Sequence, residues 1–140
     1  MGGKVAPDFT LTDIDGKSFT IGKFRDHGVI HLFFTAVWCI PCRQEITKIN
    51  DAYERFKAQG YTPLAIGVPT RQTPERLREY RQKEKIKFPL LFDSSGKVVE
   101  SYRAEFLPRS ILIDKKGTIR YEWDFVPDNF HEVINDLLKE

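Results

Sequence analysis

From residue 9 to residue 21 the chain reads FTLTDIDGKSFTI, with apolar and polar side chains alternating around Asp15-Gly16. Alternation marks a strand with one buried face, and Asp-Gly suits a tight reversal, so a β-hairpin is predicted here. VIHLFF, residues 29–34, is apolar apart from one histidine, as expected of a central strand buried on both faces. Ile46, Ile49, Tyr53 and Phe56 then recur at helical spacing, and Gly60 provides a stop. PLAIGV (63–68) reads as a second buried strand. Thr73-Pro74-Glu75 opens a charged helix, with a capping hydroxyl and a proline in its first position.

FPLLFDSSGKV is predicted as a short strand and turn, followed by a brief segment to Tyr102. RSILID (109–114) and TIRYEW (118–123) form two strands joined by Lys115-Lys116-Gly117, a connection short enough to make them antiparallel. Phe130, Val133, Ile134, Leu137 and Leu138 lie on one stripe of a terminal helix. Together these elements predict an α/β fold, a central mixed sheet with helices on both faces.

Composition narrows the reading. A chain of 140 residues is long enough for one core, so a single domain over 1–140 is expected. A net charge of +2, from 22 basic and 20 acidic residues, is too balanced for a nucleic-acid or membrane surface. The basic residues between Arg71 and Lys87 alternate with Glu75, Glu79 and Glu84, the pattern of a solvated, salt-bridged helix. No apolar run approaches the roughly 18 residues of a membrane span, and no signal-peptide pattern is present. The opening MGGKVAPDF fails the myristoylation pattern, since position 6 is Ala6.

The chemistry concentrates in FFTAVWCIPCRQEI (33–46), which holds both cysteines of the chain, Cys39 and Cys42. A zinc site would draw its other ligands from His27, His31 and His131, and His31 sits inside the apolar strand, where a buried, hydrogen-bonded role fits better. Haem attachment needs a histidine after the second cysteine, and Arg43 stands there. A purely structural disulfide would close too short a loop to restrain the unfolded chain much. A redox pair has positive support. Following a strand and opening a helix, Cys39 falls at a helix N-terminus, where the dipole and free N–H groups favour a thiolate. Residues i and i+3 of a helical turn lie about 5–6 Å apart, within disulfide reach. Pro41 is tolerated in a first turn. On this reading Cys39 faces outward as the attacking thiol and Cys42 is shielded, with Trp38 and Ile40 offering apolar surface to another protein.

WCIPC after an apolar strand resembles the W-C-x-x-C site of thioredoxin-like proteins. APDFTLTDIDGKSFTI resembles the N-terminal hairpin of the TlpA/ResA-like branch and of the related peroxiredoxins. The stretch Thr70–Asp93 looks like the inserted, helix-containing segment of that branch, and FLPRSILID like its cis-proline loop. The resemblance implies a thioredoxin fold and a thiol–disulfide oxidoreductase, with Cys39 as nucleophile and Cys42 as resolving cysteine. It implies that Pro108 is cis and that Leu107 offers its backbone to an extended substrate segment. It further implies protein dithiol or disulfide partners, an upstream redox donor, no cofactor, no metal, and a monomer. The implied setting is extracytoplasmic, often in cytochrome c maturation, with a cytoplasmic setting as the alternative.

The sequence departs from the family at several places. Phe33 stands where thioredoxins keep a buried acid, and Ile40 where some ResA-like members carry Glu. Leu107 and Arg109 flank the proline where Thr or Val, and Thr, are usual. Glu105, close to the proline loop, is the substitute acid/base that these departures suggest. Two rivals fit less well. A peroxiredoxin needs P-x-x-x-[ST]-x-x-C, but Leu32 and Ala36 occupy those positions before Cys39. A copper carrier of Sco type needs C-x-x-x-C and a later ligating histidine, whereas His131 falls on the terminal helix.

Overall fold

In the computed structural model, which describes residues 3–140, a short strand, β1 (Lys4–Val5), precedes the expected hairpin. Met1 and Gly2, where the myristoylation pattern begins, lie outside the described residues. The hairpin pairs β2 (Thr10–Thr12) with β3 (Ser18–Thr20), and Gly16 takes a φ of 93° in its turn, where a β-carbon would be strained. Next come β4 (Val29–Thr35), α1 (Cys42–Phe56), β5 (Tyr61–Gly67), α2 (Pro74–Glu84) and β6 (Leu90–Phe92). The chain closes with α3 (Lys97–Ser101), β7 (Arg109–Ile113), β8 (Thr118–Trp123) and α4 (Phe130–Leu138).

Six strands form one mixed sheet in the order β1-β8-β7-β4-β5-β6. β4, β5 and β6 are parallel, while β7 runs antiparallel to β4 and β8 antiparallel to β7. The hairpin stands apart as its own sheet, tied to β6 through the bridge Asp13–Leu91. All seven residues of β4 are buried, as their apolar run requires. Both faces are covered. His31 meets Phe130 of α4 on one face, with ring centroids 5.4 Å apart, and Phe34, three residues on, meets Tyr102 after α3 on the other, at 6.1 Å.

His31 is the core histidine the sequence suggested. Its Nδ1 lies 2.6 Å from the Tyr61 hydroxyl and its Nε2 2.8 Å from Ser110 Oγ, and burial pushes its imidazole down to about 3. Thr73 caps α2 by accepting the Arg76 N–H at 3.2 Å, with Pro74 in the first position.

Three features go beyond the sequence pattern. β1 carries no alternation long enough to announce a strand, and owes its existence to pairing with β8. The segment before Tyr102 contains α3, a single short helix entered through Gly96 in the left-handed region, φ 76°. The charges of α2 pair across elements rather than along the helix. Arg81 reaches Asp15 of the hairpin at 2.6 Å, and Glu84 reaches Arg43 of α1 at 3.5 Å.

This topology gathers the C-terminal ends of β4, β5, β6 and β8, and the N-terminal end of β7, along one edge of the sheet. The cysteine turn, the β5–α2 connection and the proline loop therefore converge there.

Candidate active site

Beyond Thr35 the chain makes successive tight turns. Cys39 N–H donates to Ala36 O at 3.0 Å, Cys42 N–H to Cys39 O at 3.2 Å, and Arg43 N–H to Ile40 O at 3.1 Å. The regular helix begins only at Cys42, with Pro41 as its N-cap already in a helical conformation. Cys39 thus stands one turn ahead of α1, whose N-terminus the sequence assigned to it and which Cys42 occupies instead. The two sulfurs are bonded, with their Cα atoms 5.4 Å apart.

The pair is asymmetric. Cys42 is fully buried, and Cys39 keeps 5% of its surface. The sequence placed Cys39 facing outward; in the disulfide state it instead forms part of a groove lined by Trp38, Ile40 and Pro41 on one side and Glu105, Phe106 and Leu107 on the other. Around this nearly covered sulfur, Ile40 is 72% exposed, Phe106 82% and Trp38 43%. Three large apolar side chains are thus left in water beside the disulfide. The Leu107–Pro108 peptide bond is cis, and Leu107 makes no backbone hydrogen bond among the described residues.

The turn is braced by the β5–α2 connection. The Trp38 indole N–H donates to Thr70 O at 2.9 Å. Gln72, itself buried, accepts the Val37 N–H at 3.0 Å and donates from its amide to Val68 O and, at 3.5 Å, to Thr35 O.

Two carboxylates stand close to the site, one on the groove wall and one close in sequence to Cys42. Glu105 is exposed on the groove wall. Glu45, which the sequence reading passed over, is fully buried on α1, three residues after Cys42. Its Oε1 accepts the Val126 N–H at 2.8 Å, and its Oε2 has no hydrogen-bond partner, with the Lys48 ammonium 3.5 Å away. Phe33 is wholly buried in β4. His131 sits on α4 with its ring 5.7 Å from that of Phe56.

A mixed sheet of this order with a C-x-x-C disulfide after its central strand defines the thioredoxin-like class. The fold superposes on the thioredoxin domain of a thiol-disulfide oxidoreductase from Bacteroides vulgatus with a TM-score of 0.86, at 23% identity, over 99% of this chain and 98% of that one. The sequence matches the AhpC/TSA family over residues 2–122. It is 33% identical over 120 residues to thiol-disulfide oxidoreductase ResA of Bacillus thuringiensis subsp. konkukian, covering 86% of this chain and 68% of the relative. Against ResA of Geobacillus kaustophilus it is 33% identical over 118 residues, or 84% of this chain and 66% of the relative. The chain therefore belongs to the AhpC/TSA family, on its ResA-like thiol–disulfide oxidoreductase branch. It spans about two thirds of the length of these relatives.

Proposed function

We propose that the protein exchanges disulfides with partner proteins, Cys39 attacking and Cys42 resolving. The observation that carries this assignment is the asymmetry of burial: of the two sulfurs, Cys39 borders an apolar groove and Cys42 has no surface at all. In the reducing direction the Cys39 thiolate attacks one sulfur of a partner disulfide, and the partner's other sulfur leaves as a thiol. The Cys42 thiolate then attacks Cys39, re-forming the internal disulfide and releasing the second partner thiol. Two electrons and two protons pass from the protein to the partner; a donor dithiol reverses the steps to recharge it.

Trp38, Ile40, Pro41 and Leu107 hold the partner segment, and the free backbone of Leu107 beside Pro108 pairs with it as an added strand. Glu45 takes the proton from Cys42. Side chains on a helix lean toward its N-terminus, so a buried carboxylate one turn after Cys42 leans back toward that residue. Glu105, in water on the groove wall, is left free of that duty.

We place the protein among reductants, working as a monomeric single domain outside the cytoplasm on electrons from an upstream dithiol. Among the described residues no helix is long and apolar enough to cross a membrane. Finding the native protein in the cytoplasmic fraction would overturn the location without touching the chemistry.

The mechanism is tested with two variants. Cys39→Ser forms no mixed disulfide with a disulfide-bonded substrate protein, while Cys42→Ser accumulates one, visible on non-reducing gels. A Cys42→Ser protein that yields no adduct overturns the assignment.

A further inference from the structure

The residue that lies across Trp38 comes from outside the cysteine turn. Arg71, in the connection between β5 and α2, holds its guanidinium 5.0 Å from the centre of the Trp38 ring. Its flanking residues are the two that brace the turn, Thr70 through the indole N–H and buried Gln72 through Val37. Arg71 is therefore set in a fixed relation to Cys39. Its φ is 53°, in the left-handed region where glycine would sit without strain.

The Arg71 side chain is exposed and, among the described residues, pairs with no carboxylate. The arginines next to the cysteine and proline segments are engaged: Arg43 with Glu84, and Arg109 with Glu122 and Asp124. The opposite wall of the groove carries Glu105, which disfavours a negative charge on that side. The rim of the groove is thus positive at Trp38 and negative across from it.

We infer that Arg71 selects the partner, favouring a segment that presents its redox cysteine with an acidic side chain on the Trp38 side. This inference rests on the disulfide-exchange reading above. Charges at the rim of an interface act mainly on the association rate and on the choice among partners. Held against the indole face, a guanidinium gives up little further freedom when it meets a carboxylate.

The test uses reduced Cys42→Ser protein, which stops at the mixed disulfide. Two synthetic peptides share the same apolar residues around a single cysteine carried as a thiopyridyl disulfide. One has aspartates on both flanks and the other lysines. The Cys39 thiolate displaces pyridine-2-thiolate, which absorbs as the thione, and a Cys39–peptide disulfide forms. The reading is the ratio of the two rates, which a loss of folded protein does not alter. Introducing Arg71→Glu lowers the aspartate-to-lysine ratio by about fivefold or more at low salt, and Arg71→Gln lowers it by less. A ratio unchanged in both variants overturns the inference while leaving exchange intact. Failure of both peptides to react at all overturns the exchange reading, and this inference with it.

Discussion

His31 has both ring nitrogens engaged by hydroxyls, one from Tyr61 and one from Ser110, and no surface in water. A neutral imidazole satisfies that arrangement, since either hydroxyl can donate or accept. Burial holds its pKa at about 3 against an ordinary 6.5, so the unfolded chain takes up its proton first as pH falls. Between those values the unfolded state binds one more proton than the folded state. Stability from this residue is therefore complete above about pH 6.5 and is lost toward pH 3, at about 1.4 kcal/mol per unit. Urea unfolding of wild type and His31→Gln checks this. Between pH 6 and pH 4.5 the wild type loses about 2 kcal/mol more than the variant; equal slopes refute the assignment. That His31 is a core residue was legible from its apolar run. Its partners were not, because they come from strands brought alongside only by the sheet.

The same limit operates on α1. Ile46, Ile49 and Phe56 are buried as their spacing predicts, and so are Cys42, Glu45 and Ala52 on the same stripe. Glu45 could have been found in the sequence, since an acid three residues after Cys42 and four before Ile49 cannot avoid the apolar face. The eye passes over it because Glu is common in a first helical turn, where it serves the dipole. The loop that supplies its N–H partner, ahead of α4, has no pattern that would reveal the contact. Glu45→Gln keeps an oxygen for Val126 and removes the proton acceptor. It slows resolution of the mixed disulfide by about tenfold or more and changes its pH profile, while Glu105→Gln leaves that profile as it was. Stopped-flow measurement across pH separates the two; a shifted profile in Glu105→Gln alone reverses the roles. The cysteine turn, by contrast, was legible in spacing and misplaced by a turn, because tight i→i−3 bonds precede the regular helix.

Across the whole molecule, the main strands and the antiparallel pairing of β7 with β8 followed from their hydrophobic pattern and short connection, whereas the order of the sheet and the strand β1 arise from tertiary pairing. The redox bias is likewise a property of the assembled edge. A strong oxidant stabilises its reduced form through the thiolate. Here Trp38 and Ile40 line the groove at Cys39 with apolar surface, which gives a thiolate little support. Equilibration with dithiothreitol, followed by Trp38 fluorescence, is expected to place the potential nearer about −270 mV than about −120 mV. A value at the upper end would make the protein an oxidant.

The layout of the sheet also has a consequence for how the protein survives crowding. A long bare strand at a sheet margin invites other chains to add to it and spread as aggregates. One margin ends in β1, two residues long, with Lys4 on it, and the other in β6, three residues long and bridged by Asp13 of the hairpin. Neither end strand by itself offers a template of useful length. On the proposed function, an extended partner instead takes the proline loop beside Cys39, where lending backbone hydrogen bonds serves the chemistry.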